Sequence, residues 1–334
     1  MRRFSRWLLS TLLLSSCSVA LVVACTQPAP VSSLPVTEDD DEDSGPKKKK
    51  DSGTPTVPDG ADPPLPDGGK PPGRIYAHDK HTLYRYDPLA NSLVKVGAFE
   101  CVPQNGVGTL GSTKENDAVI DLALDRTGQM YATTYWRFIK VDATSGACQV
   151  IRTDTQANMY PNSLSFVPLG TVDPTQEALV GYAFDNLDDA TIYTRINLTT
   201  GEMEDRENLN PEPPLGGVEF GLSGDFISLV RSGGKTYAAI KQVTGDAGAG
   251  NDLLAEIDPT TGTLEKIIGD TGQKGFYGVG FWAGKAYGFT LSGKIYEIDI
   301  TNGATKVVLE AKDDQGDPIQ WYGAGVTTDS PTAP

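Results

Sequence analysis

An all-β architecture, repeated five times and closed into a ring, is predicted by three features of this sequence. The phrase "IDPTTGTLEKI" at 257–267 recurs as "YDPLANSLVKV" at 86, "VDATSGACQVI" at 141, "INLTTGEMEDR" at 196 and "IDITNGATKVV" at 298. A Tyr followed by a small residue precedes every copy: Tyr76-Ala77, Tyr131-Ala132, Tyr182-Ala183, Tyr237-Ala238 and Tyr287-Gly288. A short apolar strand precedes all of these pairs except the first. A matching segment, "IQWYGAGVTT" at 319–328, stands instead near the C-terminus.

Each phrase carries Asp or Asn (Asp87, Asp142, Asn197, Asp258, Asp299) and, four residues on, Asn91, Gly146, Gly201, Gly262 or Gly303. An Asx side chain hydrogen-bonds its own turn, and Gly or Asn accepts the positive φ of a type I turn with a bulge. Apolar residues alternate on both sides, so each phrase reads as strand, tight turn, strand. From Tyr to Asx the spacing is 11, 11, 15, 21 and 12 residues, which marks a variable loop between two fixed strands. The apolar strands upstream are "IDLAL" at 120, "SLSFV" at 163, "FISLV" at 226 and "GVGFW" at 278. Lettered from first to last, each unit runs A, B, C, D.

The first unit, "RIYAHDKHTLYRYDP", has no strand A before it, whereas "YGAGV" at the C-terminus matches the "YGVGF" that opens the fifth. A ring that closes by lending its last strand to its first unit needs this displacement. The prediction is therefore a five-bladed β-propeller over 74–328, about 51 residues per blade, with a disordered tail at 329–334. A sixth, degenerate blade in 206–219 or 239–252 is the alternative. The phrasing resembles the strand repeats of bacterial propeller superfamilies that include YVTN-type and quinoprotein-like proteins. That resemblance implies the fold and no particular chemistry.

The N-terminus has Arg2, Arg3 and Arg6 before an apolar stretch from Trp7 to Ala24, the layout of an export signal. Val22-Val23-Ala24-Cys25 resembles the lipobox of bacterial lipoproteins, which implies removal of 1–24 and acyl chains on Cys25. "LSSC" at Cys17 fits less well, since cleavage there leaves "SVALVVA" on the mature chain. An uncleaved transmembrane anchor is the other reading. Thr26 in place of Asp implies, by the same resemblance, delivery to the outer membrane, with the protein facing periplasm or cell surface. Residues 25–73 carry almost no aromatic or large aliphatic side chains and cannot offset the entropy of ordering. They read as a Pro-stiffened tether, with solvated charge runs at Glu38–Asp43 and Lys47–Lys50.

With 44 acidic against 28 basic residues, the chain has a formal charge of −16, which repels a polyanion and excludes nucleic acid as a partner. His78 and His81, in "HDKH", are the only histidines. No second cluster completes a zinc site and no nucleophile elbow is present. No cofactor is implied, although calcium is a possibility in "TGDAGAGND", where Asp246, Asn251 and Asp252 offer oxygens without EF-hand spacing. The B–C loops and the loops entering strand A share one face of a propeller. They gather His78, His81, Tyr135, Trp136, Tyr160, Tyr277, Trp321 and Tyr322 as candidate binding residues. The same aromatics could instead plug the channel or pack between blades.

A propeller glycosidase needs paired carboxylates facing the axis. Asp121 and Asp225 open A strands and Asp117 lies just before one, so a glycan hydrolase or lyase is the rival to a binding or scaffold module. An inert spacer is a third reading. Cys101 and Cys148 form an even pair suited to an oxidising compartment. A flat-blade picture sets them roughly 20 Å apart at opposite ends of adjacent strands, so a disulfide is open at this stage.

Overall fold

The computed structural model describes residues 75–332, apart from 106–112, 158–159, 185–189, 231–233 and 244–249. The signal segment, Cys25, the tether and Asp246 lie outside the described residues. Blade 1 contains β1 (Ile75–His78), β2 (Thr82–Asp87) and β3 (Ser92–Ala98). Blade 2 contains β4 (Val119–Leu124), β5 (Met130–Thr134), β6 (Arg137–Val141) and β7 (Cys148–Thr153). Blade 3 contains β8 (Leu164–Val167), β9 (Ala178–Phe184), β10 (Ala190–Ile196) and β11 (Met203–Asn208). Blade 4 contains β12 (Phe220–Ser228), β13 (Thr236–Gln242), β14 (Leu253–Ile257) and β15 (Leu264–Asp270). Blade 5 contains β16 (Phe276–Trp282), β17 (Lys285–Thr290), β18 (Lys294–Ile298) and β19 (Thr305–Glu310), and β20 (Gly323–Gly325) closes the ring.

Every sheet is antiparallel, and the first has the order β20-β1-β2-β3, with Gly323, Ala324 and Gly325 opposite His78, Ala77 and Tyr76. The displaced strand is thus where ring closure requires it. No sixth blade forms among the described residues: 206–208 finish β11, Leu215–Gly217 make a single 3-10 turn, and 239–242 finish β13.

The repeated phrase folds as its chemistry dictates. Asp142 Oδ1 accepts from the Thr144 amide at 2.7 Å, Asp258 Oδ1 from Thr260 at 2.7 Å and Asp299 Oδ1 from Thr301 at 2.8 Å. The residue four on takes positive φ, 79° at Gly262 and 48° at Asn91. Gly262 also meets a steric demand, since a Cβ there would stand 2.2 Å from the Tyr193 ring of the preceding blade.

The repeated Tyr is a wedge between blades. Tyr131 of blade 2 lies 5.9 Å from Phe166 of blade 3, Tyr237 stacks on Phe281 of blade 5 at 6.4 Å, and Tyr287 meets Tyr86 of blade 1 at 5.8 Å. Blade 3 departs from the sequence alignment. Leu164 pairs with Gly181 as Leu122 pairs with Ala132 and Val279 with Gly288. Val180-Gly181, not Tyr182-Ala183, therefore fills the repeat position; a slide of two residues keeps every side chain on its own face. Tyr182, fully buried, packs on Phe226 of blade 4 at 5.2 Å.

Neighbouring strands rotate by roughly 20–25° per step, so a D strand is turned ~60–75° from its A strand. Each D strand consequently leans onto the C–D turn of the next blade. Gly97 lies against the Ser145 carbonyl, Gly269 against that of Asn302, and Asn91 Nδ2 donates to the Val308 carbonyl at 2.9 Å. This twist overturns the flat-blade separation of the cysteines. Cys101 follows one D strand and Cys148 the turn beside it, and the two are bonded with Cα atoms 5.5 Å apart.

The chain does not end its structure at 328. Thr328 O accepts from Val230 N at 2.9 Å and Pro331 O from Ala283 N at 2.7 Å, while Ser330 is buried. Thr328 Oγ1 donates to Glu177, whose other oxygen accepts from Arg126 N at 2.7 Å. Residues 326–332 form a strap across the lower mouth of the ring, tied to the lower loops of blades 2, 3, 4 and 5.

Candidate functional site

The upper face begins at the turn after β1. Asp79 Oδ1 accepts from the amides of His81 at 2.8 Å and Thr82 at 2.7 Å, and Tyr84 donates to Asp79 Oδ2 at 3.1 Å. This fixes Lys80 and His81 on the surface beside Tyr322, where the Lys80 ammonium stands 5.2 Å from the Tyr322 ring. Tyr322 N donates to His78 O at 2.9 Å, which registers the closing segment against β1. Tyr277, from the bulge opening β16, lies 6.2 Å from Tyr322 and is 38% exposed. Tyr135 reaches the same cluster from blade 2. Burial, with the nearby Tyr322 and Tyr277, pushes its phenol up to about 12. None of these three hydroxyls donates to another described residue. Trp136 stands beside the cluster with Lys114 5.2 Å from its ring.

Beside Tyr322 a groove of about 390 Å³ is lined by Lys80, His81, Asp313, Asp317 and Gln320. His81 Nε2 is buried there without a partner, and burial lowers the pKa of its ring. The upper mouth therefore offers stacking surfaces, phenol donors and a lysine within one patch. Half-exposed aromatics of this kind bind apolar faces while keeping a polar end wet.

Three expected binding residues are not on this surface. Tyr160 is fully buried, stacked on Phe138 at 6.1 Å with its hydroxyl toward Gly201 O. Trp321 is fully buried between Tyr84 and Phe289, 5.3 and 5.6 Å away. His78 is fully buried as well. Its Nδ1 donates to Asp79 O at 2.7 Å, and burial holds its pKa down to about 4. In a strand that enters the blade from the face, alternate side chains turn inward, and these positions are the inward ones.

The two calcium candidates among the described residues are also otherwise engaged. Asp252 is buried and Oδ2 accepts from Phe276 N at 2.8 Å, pinning the entry of β16. Asn251 donates to Asp270 at 3.3 Å. Asp117, buried, takes the Arg137 guanidinium and the Thr134 hydroxyl, so it braces the β5–β6 loop that presents Tyr135 and Trp136.

Below the tyrosines the register defines a ring of five equivalent A-strand positions around the axis: Gly323, Asp121, Ser163, Asp225 and Gly278. Both carboxylates are wholly buried. Asp121 Oδ1 accepts from Leu122 N at 2.7 Å and Oδ2 from Leu164 N. Asp225 Oδ2 accepts from Ala324 N at 2.7 Å and Val279 N at 3.2 Å. Burial pushes the pKa of both groups well above the carboxylate range, and the charge of Asp225 raises that of Asp121 further. Gly323 fits because a Cβ there would come within 2.3 Å of Asp121 and 2.5 Å of His78 Nε2. Hydrolytic carboxylate pairs stand about 5–9 Å apart with substrate between them. Asp121 and Asp225 are sealed from solvent, with no room for substrate between them and water, so they do not form such a pair.

No family model and no curated protein matches the sequence. Among solved structures the chain is similar to one from the nidogen/laminin complex, at 11% identity and TM-score 0.43 over 75% of this chain and 97% of that one. It is also similar to an auxiliary nutrient binding protein from Bacteroides thetaiotaomicron VPI-5482, at 14% identity and TM-score 0.36 over 76% and 61%.

Proposed function

We propose that this protein is a lipid-anchored binding or scaffold module of the cell envelope, whose upper propeller face engages an envelope protein or a surface polysaccharide. The observation that carries the reading is the cluster of Tyr135, Tyr277 and Tyr322, with phenols unpaired to other described residues, over an axis closed to substrate. Anchorage rests on the sequence: the lipobox-like Val22–Cys25 supplies acyl chains for an outer-membrane leaflet, and residues 26–73 supply reach. Two or more chains are needed for firm attachment, because one alone is marginal at about 0.8 kcal/mol per buried methylene.

The test is recovery of partners from living cells. The full chain and its Tyr277→Ala/Tyr322→Ala variant are crosslinked in place and purified through a tag after Gly73. Bound protein is then identified by mass spectrometry and bound sugar by composition analysis. The reading expects one or two envelope proteins or one polysaccharide with the wild type, at least tenfold depleted with the variant. Equal recovery from both would remove the upper face from binding. Cys25→Ser separately tests the anchor and is expected to move the protein out of the membrane fraction.

A further inference from the structure

The axial carboxylates raise a question of charge that neither the fold nor the binding face answers. Of their four oxygens, three accept backbone N–H groups, drawn from Leu122, Leu164, Val279 and Ala324. The fourth, Asp225 Oδ1, is buried with no N–H or O–H partner, and both side chains converge on the Gly323–Ala324 segment: a Cβ on Gly323 would stand 2.3 Å from Asp121 Oδ1, and Ala324 N donates to Asp225 Oδ2 at 2.7 Å. Two carboxylates so placed and out of water cannot both be ionised at modest cost, because each charge lacks the solvent that would screen the other.

We infer that the propeller axis is a proton-binding site, in which Asp121 and Asp225 hold one proton between them and so latch the two sides of the ring. The proton completes the one oxygen that lacks a donor. Asp121 grips blade 3 through Leu164, and Asp225 grips blade 5 through Val279 and the closing strand β20 through Ala324. The shared hydrogen bond is therefore the direct link across the axis between β4 and β12.

The neighbours leave the proton as the titrating element. His78 of β1 turns Nε2 toward the same space and is the one basic side chain among the residues aligned with the ring. The others are Thr133 of β5, Ser163, Tyr182 of β9, Ala239 of β13, Gly278 and Phe289 of blade 5 and Gly323, with the Tyr182 phenol held far above its usual range by burial. His78, held neutral in the fold, favours folding as pH rises from about 4 to 6.5 and contributes no slope above that. For the pair the sign is opposite. Its folded pKa is raised, so its stabilisation is complete below the unfolded value near 3.9 and is lost as pH rises toward the folded value. The clean window begins at pH 7, above the range in which His78 titrates, and ends where the folded pair releases its proton.

Asp225→Asn replaces the shared proton with a fixed amide N–H of the same shape. Urea unfolding of the full chain in detergent is compared with that of the variant at pH 7, 8 and 9. The inference expects the wild-type unfolding constant to rise about tenfold per pH unit relative to the variant, until the proton leaves. Parallel curves would overturn it. A second measurement needs no variant. Calorimetric unfolding of the wild type at pH 8, in buffers of different ionisation enthalpy, is expected to show release of one proton; release of none would contradict the inference even if Asp225→Asn failed to fold.

Discussion

The two mouths of the ring are built from similar loops and finished in different ways. At the lower mouth the strap 326–332 spends its carbonyls and hydroxyls on Val230, Ala283 and Glu177, and Ser330 is buried. At the upper mouth three tyrosines from blades 1, 2 and 5 stand together with hydroxyls that no other described residue receives. One end is satisfied internally and the other is left with bonding capacity. Polar groups are left unpaired in a folded protein mainly where water or a ligand meets them, and the proposed function assigns recognition to the upper face on that contrast.

The lower mouth is the more sensitive of the two to truncation. Ending the chain at Tyr322 removes β20 and the strap, taking the Ala324 donor from Asp225 and exposing the edge of β1. The expected result is loss of a single cooperative thermal transition by circular dichroism. Next in size is the disulfide. Cys101→Ser with Cys148→Ser frees a loop of 47 residues and is expected to cost about 4 kcal/mol by the loop-entropy relation, read by urea unfolding. Tyr160→Ala, in the interior near the upper face, is expected to cost about 3–5 kcal/mol and to leave partner recovery intact at low temperature. Tyr277→Ala with Tyr322→Ala closes the series. On a half-exposed patch it is expected to change stability by under about 1 kcal/mol while depleting the partner at least tenfold. A stability loss as large as that of Tyr160→Ala would make these rings structural and erase the difference between the mouths.

The turns, the blade count and the lent strand were all legible, because each depends on local chemistry: an Asx side chain, a positive φ, alternation along a strand. What sequence spacing could not supply is the effect of twist accumulated across four strands. That effect joined Cys101 to Cys148, which a flat blade keeps apart. It could not supply register either; in blade 3 a Tyr-Ala pair stood two residues from the true repeat position. Of the candidate site, His81, Tyr135, Trp136, Tyr277 and Tyr322 come to one surface, while His78, Tyr160 and Trp321 turn inward. Neighbours one residue apart along a strand entry face opposite ways, and the bulges that decide which way, as between Phe276 and Gly278, leave no mark in composition. The axial pair did leave a mark, two Asp residues in otherwise apolar inner strands, but its meaning needed the ring.

The most direct test of the account places a photo-crosslinking amino acid at Tyr277 on the upper mouth or at Leu169, 53% exposed on the lower side, in the full chain in living cells. The account predicts adducts to the same envelope protein or polysaccharide from position 277 and none from position 169. Equal adducts from both, or adducts from 169 alone, would contradict it.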